Sequence, residues 1–150
     1  MPDLEDLANS AAEMAFSDVS VPLEVAVLAC EDARIAALNA DFRGKDRATN
    51  VLSWPAFSLT SEVPGQRPAP LPESAAPGPV TVGDVAIALQ TCVSEAKNAG
   101  IPLKNHVLHL ILHGCLHLLG YDHIHEADAA LMEGLETRLL LRAGYPDPYA

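Results

Sequence analysis

Apolar residues recur along the chain with two periods, and the switches between them predict its elements. Leu4, Leu7, Ala8, Ala11, Ala12 and Met14 fall at helical spacing, which predicts a helix over Leu4–Phe16. Its acidic residues come early, where the helix dipole favours them. Pro22 ends that pattern. Leu23–Cys30 reads as a strand whose run Val25-Ala-Val-Leu-Ala-Cys is apolar enough for burial on both faces. Helical spacing returns over Glu31–Phe42, with Ile35, Leu38 and Phe42 on one side. Asn50–Trp54 is a short strand closed by Pro55, and Val80–Leu89 is a third strand containing Gly83-Asp84. Gln90–Ala99 is a helix stopped by Gly100 and Pro102. The next helix carries a nearly continuous apolar run from Val107 to Leu119. The last spans Glu126–Arg142, with Leu131, Leu135, Leu139 and Leu140 inward and Gly144 as its stop. Strands alternating with helices predict an α/β (α+β) domain, a small mixed β-sheet surrounded by helices, over residues 1–150.

Between residues 58 and 79 the pattern lapses. Pro64 to Pro79 holds six of the chain's 12 prolines and no apolar period. The stretch reads as a flexible surface excursion with almost nothing to bury, not as a domain boundary.

Histidine is the first composition that changes the picture. All six histidines lie between His106 and His125. Residues four apart on a helix have Cβ atoms roughly 5–6 Å apart, so two imidazoles can converge on one ion. His109, His113 and His117 share a stripe, but the outer two stand about 12 Å apart at ~1.5 Å rise per residue. One zinc with bonds of about 2.0–2.1 Å cannot span that. The helical pair is therefore 109/113 or 113/117. Gly120 ends the helix and turns the chain so that His123 returns, which favours His113, His117 and His123. Three ligands leave a tetrahedral position open, the mark of a catalytic rather than a structural zinc, one Zn2+ per chain. His106 and His109 then read as core or supporting residues and His125 as a reserve ligand. Cys115 points off the ligand face and reads as packing.

The spacing coincides with that of zinc peptidases, H-E-x-x-H-x-x-G-x-x-H, whose glutamate is the general base. Gly114 stands in that place and can move no proton. A metallopeptidase-like hydrolase is disfavoured.

A net charge of −11 argues against indiscriminate polyanion binding, yet three of nine basic residues sit within Arg43–Arg47. Phosphoryl chemistry needs fixed cations, and arginine offers phosphate a planar fork. Cys30, Cys92 and Cys115 are odd in number and form no C-x-x-C pair, which points to a reducing compartment. The start lacks a signal peptide's pattern, and no apolar stretch approaches the roughly 20 residues of a membrane span. These features predict a cytoplasmic protein with no membrane partner.

Two segments, Leu38-Asn39…Phe42-Arg-Gly-Lys-Asp-x-x-Thr-Asn-Val-Leu-Ser and His113-Gly-x-Leu-His-Leu-Leu-Gly-Tyr-Asp-His, resemble the signatures of the YbeY family. That family comprises bacterial single-strand endoribonucleases that act as rRNA maturation factors. Gly83-Asp84, Glu133-Gly-Leu-Glu136 and the terminal Gly144-Tyr-Pro-Asp-Pro-Tyr are similar to it as well. The resemblance covers residues 23–60 and 80–149. It implies a metal on His113, His117 and His123 and a functional Arg43. It also implies cytoplasmic cleavage of single-stranded RNA, in 16S rRNA 3′-end processing and ribosome quality control. The expected partners are rRNA and ribosomal small-subunit proteins, with no DNA. Lys45 and Arg47 are expected to bind substrate, and Asp122 to orient a ligand imidazole or act as a base. Water and a ribose 2′-OH both stay open as nucleophile. Three departures stand against the family pattern: an N-terminus short for its first strand, the long proline-rich excursion, and the overall acidity. A non-catalytic ribosome assembly factor with a structural metal is the other rival, disfavoured because only three ligands are at hand.

Overall fold

The computed structural model describes residues 3–43, 49–71 and 78–149, with residues 41–43 as backbone only. The chain runs α1 (Leu4–Ala15), β1 (Leu23–Cys30), α2 (Asp32–Arg43), β2 (Val51–Pro55), β3 (Val80–Ala88), α3 (Leu89–Ala99), α4 (Leu103–Leu118) and α5 (Glu126–Arg142). Every expected element is present, with ends shifted by about one residue. The sheet has the order β1-β3-β2, with β1 parallel and β2 antiparallel to the central β3. A small mixed sheet among helices is the α+β architecture that the alternating pattern predicts.

α4 is the axis of the fold. It packs against α1, β2, β3, α3 and α5. Its Val107, Leu108, Ile111, Leu112, Cys115 and Leu116 join Leu7, Ala11, Ile87, Cys92, Met132 and Leu140 in one buried cluster. Each large aliphatic side chain buried there contributes about 1.5–3 kcal/mol relative to exposure. Cys115 is packing, as its position off the histidine face requires: burial pushes its thiol up to about 12. Where α4 crosses the sheet, Gly114 sets the distance. A Cβ on it would lie 2.8 Å from Val85 Cγ1 of β3.

Two expectations need correction. β1 is covered on one face only: Val25, Val27 and Ala29 are half-buried, and Glu24, Ala26 and Leu28 are exposed, Leu28 to 50%. It is an edge strand, and its run of apolar residues does not distinguish one covered face from two. The inward stripe of α5 consists of Asp128, Met132, Glu136, Leu139 and Leu140, while Leu131 and Leu135 are only half-buried. The leucine spacing pointed one position away because two of the inward residues are carboxylates.

The described part of the proline-rich excursion lies mostly exposed and touches the domain at a few points. Leu59 is buried, and its carbonyl accepts the Ala69 N–H at 2.8 Å. Thr60 Oγ1 donates to the Gly120 carbonyl at 2.9 Å, and the Gly65 N–H donates to Asp128 Oδ1 at 2.8 Å. The segment lacks an apolar period because it is held through backbone groups rather than through one face.

Gly83 lies where an extra β3 residue, Val82, enters the pairing with β1, and its φ is +140°. A Cβ there would meet the Trp54 carbonyl oxygen at a separation no real pair shows, and Leu118 Cδ2 at 2.9 Å. Gly83→Ala therefore combines backbone strain with a clash and is expected to cost at least ~2 kcal/mol. The midpoint of urea denaturation checks this; an unchanged midpoint would contradict the clash.

Candidate metal centre

The site begins with how α4 ends. Leu119 is its last half-helical residue, and Gly120 follows at φ +102°. The Gly120 N–H donates to the His117 carbonyl at 3.0 Å and the Tyr121 N–H to the Leu116 carbonyl at 3.1 Å. These two bonds are the Schellman pattern, which requires a left-handed residue at Gly120. A Cβ there would also press within 2.9 Å of Leu59 and Pro68. The turn folds the chain back so that the Tyr121 carbonyl faces the His117 ring, and His123 then closes on the same spot.

His113, His117 and His123 each offer a nitrogen within 4.8 Å of the other two. The His113 and His117 Nε2 atoms are 3.0 Å apart, and the His123 ring centroid lies 5.3 and 5.0 Å from theirs. Nitrogens on one tetrahedral zinc stand roughly 3.3 Å apart. The outer nitrogens say more. His113 Nδ1–H donates to Glu136 Oε1 at 2.9 Å, and His117 Nδ1–H donates to the Tyr121 carbonyl at 2.8 Å. With acceptors facing both Nδ1 atoms, the two Nε2 atoms are turned toward each other, the nitrogens left to hold an ion. At 3.0 Å they need a shared proton or a metal ion between them. The residues present fit a metal ion.

Burial pushes the His117 imidazole down to about 4, and His113 and His123 push it the same way. It is therefore neutral near pH 7, as a ligand must be. Glu136 is fully buried, which by itself raises a carboxyl; hydrogen bonds from His109 and His113 outweigh that and hold it down to about 2. His109 Nε2–H shares Oε1 at 2.9 Å, and the Tyr149 hydroxyl donates to Oε2 at 3.0 Å. Burial, then the Glu136 charge, push the Tyr149 phenol up, so it stays a donor. The histidines open on a cavity of about 480 Å3, also lined by Thr49, Asn50, Ser53, Glu133 and Tyr149.

These geometries sort the expected site residues. The structure brings His113, His117 and His123 together. His109 instead bonds Glu136, His106 bonds Glu95 at 2.9 Å, and the metal-capable group does not include His125. The Asp122 carboxylate accepts its neighbour's backbone N–H, that of His123, at 2.7 Å, while Glu136 and the Tyr121 carbonyl orient the His113 and His117 imidazoles. Arg43 ends α2 with its side chain outside the described set, and Lys45 and Arg47 lie outside the described residues.

The family model for "Endoribonuclease YbeY" matches residues 2–144. The chain belongs to the YbeY endoribonuclease family. It is 54% identical over 149 residues to the endoribonuclease YbeY of Ruegeria pomeroyi, covering 99% of this chain and 90% of that one. It is 52% identical over 150 residues to the endoribonuclease YbeY of Cereibacter sphaeroides, covering 98% and 90%. The solution structure of TM1509 from Thermotoga maritima shares the fold, with a TM-score of 0.55 at 22% identity over 98% of this chain and 91% of that one. The YbeY resemblance read from the two signatures thus holds across nearly the whole chain.

Sequence reasoning had noted the YbeY-like Glu133-Gly-Leu-Glu136 stretch without giving Glu136 a task. A signal was there: a carboxylate one turn from Met132 and from Leu139 and Leu140, on an apolar stripe, needs buried donors.

His117→Ala is expected to abolish binding of one divalent ion per chain and His109→Ala to preserve it. Glu136→Gln is expected to weaken binding roughly 10–100-fold. Competition with a chromogenic chelator measures all three. Metal loss in the His109 variant with retention in the His117 variant would overturn the ligand set. In the metal-free protein the depressed His117 has a second consequence. The unfolded chain takes up a proton near 6.5 and the folded one only near 4, so stability contributed above pH 6.5 is lost as pH falls toward 4. Urea titrations at pH 7 and pH 5 should show this slope in wild type and a shallower one in His117→Asn.

Proposed function

We propose that this protein is a zinc-dependent endoribonuclease that cleaves single-stranded RNA in the cytoplasm, in maturation of the 3′ end of 16S rRNA and ribosome quality control. One observation carries the reading: in a chain of the endoribonuclease YbeY family, His113 and His117 turn their Nε2 atoms toward each other beside His123, at the wall of an open cavity. His113, His117 and His123 would hold the zinc ion, which when bound would lower the pKa of a water ligand toward about 7 and polarise phosphoryl oxygens. The chain's own residues do the rest. Glu136 and the Tyr121 carbonyl keep the His113 and His117 rings at their angles. Arg43 steadies the charge that develops on phosphorus oxygens, and Lys45 and Arg47 hold the flanking phosphates. The single-stranded RNA meets a local basic loop on an otherwise acidic chain, and small-subunit proteins supply further docking. No helix of the described residues is long and apolar enough to cross a membrane.

A peptidase reading meets two obstacles in one residue. Gly114 has no base, and its contact with Val85 leaves no room for the glutamate a peptidase needs.

Arg43→Ala is expected to keep fold and metal while losing roughly 10²–10³ in the rate of RNA cleavage, the usual cost of one oxyanion-type donor. Arg43→Lys should recover little, because a point charge does not reproduce the bidentate fork. The measurement is turnover of single-stranded RNA and of casein by one sample, stripped with chelator and restored with zinc. Casein cleavage would favour the peptidase. Intact RNA with the zinc-loaded protein, while Arg43→Ala still impairs ribosome maturation, would make Arg43 a docking residue and overturn the catalytic reading.

A further inference from the structure

Beyond α5 the chain returns to the metal centre. Thr137 Oγ1 of α5 donates to Asp147 Oδ1 at 3.1 Å, and the same oxygen accepts the Tyr149 N–H at 2.9 Å. This pair of bonds pins the tail against the helix it has just left and aims the Tyr149 side chain at α4. Its hydroxyl donates to Glu136 Oε2 at 3.0 Å, and its oxygen lies 3.3 Å from His109 Nε2. Its ring stands at 90° to that of His109, with centroids 5.5 Å apart, an edge-to-face contact.

The need for that hydroxyl follows from the burial of Glu136. Oε1 already receives two imidazole N–H groups, from His109 and His113. Oε2 of the same fully buried carboxylate requires a donor of its own, because a buried anionic oxygen is costly to leave unmet. Tyr149 is the donor it has. Without it the carboxylate is held through Oε1 alone and can swing about that oxygen, and the direction from which Oε1 meets His113 Nδ1 changes with it. His113 would then present Nε2 to the ion at a different angle.

We infer that Tyr149 is a positioning residue of the metal centre, its hydroxyl locking Glu136 so that His113 faces the ion correctly, which makes the C-terminal tail part of the site. The inference rests on the metal-site half of the proposed function and is read on metal binding without RNA. Intact RNA in the cleavage assay would therefore sink the nuclease reading and leave this one standing.

The test compares wild type, Tyr149→Phe, Glu136→Gln and the double variant. It reads zinc affinity by chelator competition and the visible spectrum of the cobalt(II)-substituted protein. Tyr149→Phe keeps the ring and removes only the hydroxyl. It is expected to weaken zinc about three- to tenfold, less than Glu136→Gln, and to shift the cobalt bands. In the double variant the Phe substitution should add nothing, because there is no carboxylate left to lock. Asp147→Ala, which keeps the tyrosine but removes the bonds that aim it, should weaken zinc in the same direction. Wild-type zinc affinity and an unshifted cobalt spectrum in Tyr149→Phe would overturn the inference. So would additive losses in the double variant, which would show that Tyr149 acts by another route. If instead Tyr149→Ala raises KM for RNA while zinc and cobalt readings stay at wild type in both Tyr149 variants, the ring is a stacking wall for a base and the positioning role is refuted.

Discussion

A helix packed on nearly every side must dispose of its polar side chains, and α4 carries four imidazoles on its less buried side. An unmet buried polar group costs about 1–3 kcal/mol, so each imidazole needs a partner within the fold. His106 finds Glu95, His109 and His113 share Glu136, and His117 finds the Tyr121 carbonyl. Those partners come from α3, α5 and the turn after α4, so satisfying the histidines also fixes where these elements sit. The inner nitrogens of His113 and His117 face each other at 3.0 Å.

The fold was largely legible because its elements announce themselves over short distances. Pro22, Pro55, Gly100 and Gly120 punctuate the pattern, and the helical spacing of His113 and His117 requires only local geometry. What stayed hidden depends on residues far apart in sequence. Glu136 meets His113 across 23 positions and Tyr149 meets His109 across 40. No periodicity encodes such a meeting. β1 shows a different failure, since a run of apolar residues fits a strand covered on two faces or an edge strand covered on one.

The residue at position 114 separates this centre from a peptidase twice over. Its missing side chain removes the base, and the same absence lets α4 approach Val85 of β3. Chemistry and packing therefore impose one requirement on one position. A glutamate introduced there would confront the sheet before it could meet any substrate.

The two facing Nε2 atoms are set in place before any ion arrives. Glu136 and the Tyr121 carbonyl hold the rings in this arrangement in the metal-free protein. Preorganisation of this kind favours affinity, since the ion meets ligands already in place and little ordering remains to be done. The metal-free protein should accordingly be the less stable partner in a mass-action equilibrium, with metal concentration setting the effective stability of the domain. Metal supply would then govern how much of the protein persists as well as how much of it is active.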